Sequence, residues 1–170
     1  MGSVISHCNC YNNSKFNTLN KYNNKTPLFT FHGKKTHAKV VKVYDADTIQ
    51  VVFNVYNNYY RFKCRLNRID SPEIKSHNPL EKEKAIISRD MLKKRILNKI
   101  VFIKCLEFDK YGRILIELYQ NNYNLNDWLI NNNYAIKYDG GKKLVWNENM
   151  LNKIIEKPVV NDLSISVRGF

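Results

Sequence analysis

Five β-branched runs separated by tight turns, one long helical segment after the third run and two short ones after the fifth predict an α+β, mainly β fold. The order suits a small, partly open five-stranded β-barrel of the OB type with about three helices. A length of 170 residues fits one domain with a tail, and 44% hydrophobic with 25% charged residues is the balance of an ordinary globular chain. No stretch approaches the roughly 18 consecutive apolar residues of a membrane span. Four cysteines without CxxC spacing provide neither a disulfide scaffold nor a strong zinc site.

The runs Ala38 to Tyr44 (AKVVKVY) and Asp47 to Val55 (DTIQVVFNV) flank the turn Asp45-Ala46-Asp47, which predicts a hairpin. Asn57 and Asn58 mark the next turn. The following run, YYRFKCRLNRI, alternates: Tyr60, Phe62, Cys64 and Leu66 on one face, Arg61, Lys63, Arg65 and Asn67 on the other. Cys64 and Cys105 therefore read as small buried hydrophobes. After the loop SPEIKSHNP, Pro79 opens a helix with Leu80, Ile87, Met91, Leu92 and Ile96 near one face. Two further strands, KIVFIKCLE and GRILIELYQ, are joined by the turn FDKYGR. NLNDWLINN predicts a short helix capped by Asn124 or Asn126, and a second short helix runs roughly from Asn147 to Glu156.

The expected organisation is a flexible basic arm over residues 1–36, the barrel over 37–157 and a C-terminal tail over 158–170. From Met1 to about Phe31 the chain is rich in Asn, Lys and Ser, with no sustained period and little apolar surface to offset ordering. No acidic residue precedes Asp45. The start, MGSVISHCNC, fits M-G-x-x-x-[ST], with Gly2 as an acylation site and Ser6 in the last position. Cys8 and Cys10 lie where a second acyl chain would attach; two chains, or one plus basic residues, give stable anchoring. The alternative is a chance match with two incidental thiols. His7, Cys8 and Cys10 are too crowded for a good tetrahedral metal site. Lacking the pattern of a secretory signal, the chain is expected to be intracellular and membrane-associated, with a soluble cytoplasmic protein as the alternative.

With 28 Lys+Arg against 15 Asp+Glu the net charge is +13, which favours polyanions: nucleic-acid phosphates or acidic lipid headgroups. Nothing in the sequence demands an assembly, so a monomer is expected. Against this basic background, carboxylates gather in three places: Asp45-Ala46-Asp47-Thr48, the strand end Arg65 to Glu73 (RLNRIDSPE), and the turn Asp109-Lys110-Tyr111-Gly112-Arg113. Taken singly, each reads as turn chemistry. Taken together, Asp47, Asp70 and Glu73 would repel one another unless a cation or arginines compensated, and a hard divalent ion such as Ca²⁺ suits oxygen ligands in irregular geometry.

The three clusters, in this order, resemble the staphylococcal nuclease (thermonuclease) family, from about Ala38 to the second short helix near Glu156. Its D-x-D-T hairpin appears as Asp45 to Thr48, its R-(x)4-D-[TS]-P-E as Arg65 to Glu73, and its D-K-Y-G-R as Asp109 to Arg113. The resemblance implies Asp47, Asp70 and the Ser71 carbonyl as Ca²⁺ ligands, Glu73 as the group that orients or deprotonates water, and Arg65 and Arg113 as a phosphate clamp. It also implies cleavage at the 5′-O–P bond of DNA or RNA with 3′-phosphate ends, Lys110 and Tyr111 at the terminal phosphate, and Tyr138 under a base. Such groups make chemical sense around a phosphodiester, whose barrier falls when positive charge is preorganised about its oxygens. Ala46 replaces the family's usual glycine, so the backbone there must avoid positive φ. The runner-up is a non-catalytic nucleic-acid-binding barrel; such copies typically lose the carboxylates or arginines that this chain keeps.

Overall fold

The computed structural model describes residues 13–141 and 143–157. Five strands form the barrel: β1 (Lys35–Val43), β2 (Thr48–Val55), β3 (Asn58–Leu66), β5 (Ile100–Phe108) and β6 (Ile114–Gln120). β1 pairs antiparallel with β2 and β5, β2 with β3, and β5 with β6. A short parallel pairing, Cys64↔Ile114 to Leu66↔Ile116, joins β3 to β6. That pairing closes the barrel, where the sequence suggested a partly open one. A two-residue strand β4 (Ile69–Asp70) pairs with β8 (Ile136–Lys137), and β7 (Tyr123–Asn124) extends the sheet beside β6. Strands this short carry no periodicity, which is why the sequence does not announce them.

Alternation drives the strands. On β2, Ile49, Val51 and Phe53 are buried while Thr48, Gln50, Val52 and Asn54 face outward, and on β6 Ile114, Ile116 and Leu118 fill the same interior. Cys64 and Cys105 are buried free thiols inside the barrel, and burial pushes both upward in pKa, Cys105 to about 11, as befits packing groups. The helix α2 (Pro79–Ile96) starts with Pro79 just inside the Asn78 cap, whose side chain accepts from the Leu80 and Glu81 N–H groups. It buries Ala85, Ser88, Met91, Leu92 and Ile96, with Leu80 and Ile87 packed at the margin.

The helix α3 (Leu125–Asn131) is capped by Asn124. Asn126, the other candidate cap, is instead 5% exposed and accepts the Leu118 N–H while donating to the Asn67 carbonyl. It thereby ties α3 to the end of β3. The last helix, α4 (Glu148–Leu151), is shorter than the span expected to Glu156: one turn, capped by Asn147, buries Leu151, and the irregular chain beyond it buries Ile154. Among the described residues no helix is long and apolar enough to cross a membrane.

Within the segment expected as a flexible arm, the described residues include a short helix and one core contact. A helix α1 spans Asn13–Leu19, and β1 already begins at Lys35. Phe31 is 8% exposed and packs edge-on against Phe53 and Phe62, with ring centroids 5.6 and 5.3 Å away. Phe29 meets this ring edge-on at 4.9 Å, but the run Leu28-Phe29-Thr30-Phe31 is too short within its polar surroundings to set a period. The turn after it returns the Lys34 N–H to the Phe31 carbonyl at 2.9 Å, and Gly33 supplies the φ of +81° that the turn requires. Gly2, Cys8, Cys10 and the tail from Pro158 lie outside the described residues. Replacing Phe31 by Ala is expected to cost about 3 kcal/mol of folding stability in a urea titration; a loss no larger than that of an exposed substitution would show that the ring is not part of the core.

Candidate active site

Closure of the barrel brings the three carboxylate-bearing segments together. In register, Thr48 of β2 lies opposite Arg65 of β3, and Arg65 lies opposite Leu115 of β6. The first segment is the β1–β2 turn, held by the Tyr44 N–H on the Thr48 carbonyl at 2.9 Å and the Asp47 N–H on Asp45 Oδ1 at 3.3 Å. Ala46 is buried and is not among the residues with positive φ, so alanine fits where a glycine is usual. Asp47 is buried at 3% exposure, and its Oδ1 accepts from the Thr48 hydroxyl at 2.8 Å. Burial, then the neighbouring Asp47 charge, raises the Asp45 carboxyl well above the usual range.

The second segment follows β3. The Leu66 N–H donates to the Asp47 carbonyl at 2.8 Å and the Asn67 N–H to the Ile116 carbonyl at 2.8 Å, so this strand end is stitched to both neighbours. A positive φ of 60° at Arg68 then turns the chain back, so that Asp70 returns to Arg65. Arg65 Nη1 lies 2.5 Å from Asp47 Oδ2, and Nη2 lies 3.1 Å from Asp70 Oδ1 and from the Ile69 carbonyl oxygen. Burial alone would lower this guanidinium's pKa, but the charges and hydrogen bonds of Asp47 and Asp70 outweigh that and raise it. Asp70 also holds Lys143 Nζ at 2.9 Å, and the same ammonium bonds Glu73. Burial would lower Lys143 too, yet Glu73 and Asp70 raise it.

Glu73 sits in the loop before α2. Its N–H donates to Glu81 Oε1 at 3.0 Å, while Glu81 Oε2 accepts from the Ser76 hydroxyl at 2.7 Å. A carboxylate in the first turn of α2 thus fixes the loop and leaves the Glu73 side chain 55% exposed toward the cleft. Ser71 is buried at 3% exposure beside it.

The third segment is the β5–β6 turn. Asp109 Oδ1 accepts the N–H groups of Tyr111 and Arg113, both at 2.9 Å, and Asp109 Oδ2 takes Arg113 Nε at 2.6 Å. Gly112, with φ of +74°, allows the turn. Arg113 Nη1 donates to the Thr48 hydroxyl at 3.2 Å, across to the first segment. Burial would raise Asp109, but the backbone and side-chain hydrogen bonds from Arg113 outweigh it and hold the carboxyl below its usual value.

Of the expected site residues within the described part of the chain, all but Asp70, which is buried against Arg65, line at least one of two adjoining spaces. A cavity of about 170 Å³ is lined by Tyr44, Asp45, Asp47, Thr48, Arg65, Ser71, Glu73 and Arg113. A larger cleft of about 830 Å³ shares Arg65, Glu73 and Arg113 and adds Lys63, Lys110, Tyr111, Tyr138 and Lys143 among its walls. Tyr111 is 72% exposed, with the Lys110 ammonium 5.1 Å from its ring centroid. Tyr138 stands on the cleft wall, its N–H on the Arg68 carbonyl at 3.1 Å and its hydroxyl donating to the Gly141 carbonyl at 2.8 Å. Among the described residues no three His, Cys, Asp or Glu side chains gather as a metal-binding group, and Arg65 and Lys143 engage the acids expected to share a cation.

Sequence reasoning passed over four residues here: Lys143, Glu81, and the two partners of Arg113, Asp109 and Thr48. The last two sit inside quoted motifs, where a role as anchors was open to view. Glu81 carries a local signal, standing three residues after the Asn78 cap and within eight of both partners, whereas Lys143 carries none, because it reaches Asp70 and Glu73 only through the fold. Replacing Asp109 by Asn is expected to cost about 1.5–3 kcal/mol at neutral pH, the worth of hydrogen bonds to a charged group. Because folding depresses the Asp109 carboxyl, its contribution is complete above the unfolded value near 3.9 and fades as pH falls through the lower folded value. Denaturation curves of the two proteins should therefore converge in strong acid; a constant gap would contradict the depressed carboxyl.

A family model described as staphylococcal nuclease homologue matches residues 63–157. Over 141 residues the chain is 33% identical to an uncharacterized protein of Methanocaldococcus jannaschii, covering 69% of this chain and 66% of that relative. It is 32% identical over 104 residues to an uncharacterized endonuclease of Escherichia coli, 61% of each chain. A second uncharacterized endonuclease, from Escherichia coli O157:H7, is 31% identical over the same share. The chain thus spans less than two thirds of the length of the relatives it matches. Because the family match covers more than half of the 170 residues, from the end of β3 that closes the barrel through the cleft wall, the chain belongs to the staphylococcal nuclease homologue family.

Proposed function

We propose that this chain is a Ca²⁺-dependent, sugar-nonspecific nuclease that hydrolyses phosphodiester bonds of DNA, RNA or both and leaves 3′-phosphate ends. The supporting observation is that Arg65, Arg113, Glu73 and Asp47, which lie far apart along the chain, line one small cavity opening on a basic cleft. The donors suit a hard cation: Asp47, Asp70 and the Ser71 carbonyl offer only oxygen, and Asp70 Oδ2 is buried without a hydrogen-bond partner. Bound there, Ca²⁺ supplies Lewis-acid polarisation of a phosphoryl oxygen and charge to offset the acids. The protein's own groups do the rest. Arg113, fixed by Asp109 and Thr48, presents a planar, permanently charged fork to the phosphate without first losing side-chain freedom. Arg65 shares that cavity, and Glu73 takes a proton from the attacking water as the water oxygen bonds to phosphorus and the bond to the 5′ oxygen breaks, that oxygen leaving as the 5′-hydroxyl with a proton from solvent. Lys110 and Tyr111 meet the terminal phosphate, and Tyr138 lies under a base.

Digestion of single-stranded DNA and RNA with Ca²⁺, with analysis of the product ends, tests this directly. Arg113→Ala is expected to lower turnover by orders of magnitude with the fold retained, and Glu73→Gln by roughly 10²–10⁴-fold, whereas Ser71→Ala should be mild. Arg65→Ala is the less clean probe, since it strips two buried aspartates of their partner. Activity that survives EGTA, or that needs only Mg²⁺, would refute the calcium assignment. Oligonucleotide binding without cleavage in Ca²⁺ would identify a non-catalytic binding barrel instead.

The N-terminal pattern supports membrane tethering through acylation of Gly2 with Cys8 and Cys10, aided by the basic arm on an anionic surface. Gly2→Ala should move the protein from the membrane fraction to the soluble one in cells; an unchanged distribution would remove the tether from the proposal.

A further inference from the structure

The outer face of the first three strands has no role in the chemistry above, yet its charge is one-sided. Strand register sets its residues in cross-strand rows. Lys39 lies opposite Val52, which lies opposite Arg61, and Lys42 lies opposite Gln50, which lies opposite Lys63. The next step of the same ladder is Thr48 opposite Arg65, inside the cavity. Lys39 and Lys42 are three residues apart and would ordinarily face opposite ways; a bulge between Val40 and Lys42 restores Lys42 to the outer face. Lys39, Lys42, Arg61 and Lys63 are all exposed. Among the described residues none of the four has a carboxylate within ion-pair distance. Between Lys34 and Leu66 the acids are Asp45 and Asp47, both in the turn at the cavity.

We infer that this face is a docking track for single-stranded nucleic acid, holding the part of a long substrate that lies outside the cleft. The inference rests on the proposed function only in taking the cleft to hold the scissile phosphate. On β3 the outward residues Arg61, Lys63 and Arg65 recur every ~6.7 Å in a straight line, the arrangement an extended phosphate backbone meets best. Lys63 is already a wall of the cleft with Lys110 and Arg113, so the track and the site are continuous. At the far end Tyr59, the next outward residue of β3, is 75% exposed and offers a ring to an unpaired base. An anionic membrane would also attract these cations, but between the cationic rows the face presents Gln50 and half-buried Val52 rather than a broad apolar surface to bury among the headgroups.

The test is the full chain carrying Lys39→Gln with Arg61→Gln, the cross-strand row that lines neither the cavity nor the cleft, compared with a charge-matched pair on exposed positions of α2, Lys82→Gln with Lys93→Gln. Binding of labelled single strands of about four and about sixteen nucleotides is followed by anisotropy in EGTA over a range of salt. The Lys39 and Arg61 pair should weaken the longer strand and make its log K against log salt shallower by about 1.4, since each phosphate contact on a single strand contributes about 0.7. The shorter strand should bind as before, and the α2 pair should bind both strands like the wild type. Equal losses for both lengths, or the same loss in the α2 pair, would overturn the track, as would a loss confined to phosphatidylserine vesicles. The two proposals fail separately. A wild type that cleaves nothing in Ca²⁺ while the length-dependent loss persists removes the nuclease and keeps the track; cleavage without length dependence does the reverse.

Discussion

Arg65 is the residue about which the site is assembled. Its guanidinium spans Asp47 and Asp70, two aspartates that are almost wholly buried and that approach from different segments. Neither carboxylate would tolerate burial beside the other without a cation, and removing that cation would leave uncompensated charge in a poorly solvated place. The strand that carries Arg65 is the one that closes the barrel, paired with β2 on one side and β6 on the other. Closure and charge compensation therefore occur at the same point. The parallel pairing is only three residue pairs long, but it brings the β5–β6 turn beside the β1–β2 turn.

Around that centre each functional side chain is aimed by a second group. Asp109 grips Arg113 through its side chain and the turn backbone, and Thr48 steadies the far end of the same guanidinium. Glu81 pins the loop that offers Glu73, and Lys143 spans Glu73 and Asp70. These supports are inexpensive in composition yet decisive in placement, because a charged group held in advance loses less freedom when it meets a charged ligand. The same logic extends outward along β3, where alternation leaves cations on the surface and turns Phe62, Cys64 and Leu66 inward, although Tyr60 at the strand's outer end is exposed.

Much of this was legible in one dimension. Alternation of Tyr60, Phe62, Cys64 and Leu66 against Arg61, Lys63 and Arg65 is a local property, so the faces of β3 follow from the side-chain period alone. Asn78 and Pro79 announce the start of α2, and Asn124 the start of α3, since capping satisfies backbone groups within a few residues. Phe31 was not legible, nor were α1 and the short strands β4, β7 and β8. Two rings separated by one residue in a polar stretch are too few to set a period, and two-residue strands exist because the surrounding chain places them side by side. Asn126 shows the limit of a local rule: it suits a cap, yet the fold spends it on joining α3 to Leu118 and Asn67.

By itself the sequence determined the residue types, their spacing and the faces they occupy, because these depend on backbone geometry over a few residues. It therefore identified three acid-bearing segments on a basic chain, two of them carrying arginines. Only the tertiary structure decided that Arg65 lies between Asp47 and Asp70, that Thr48 supports Arg113 and that Lys143 joins Glu73 to Asp70. Those contacts join residues up to about seventy positions apart, and long-range electrostatic partners are selected by barrel closure, register and burial, none of which is written in any short stretch of chain.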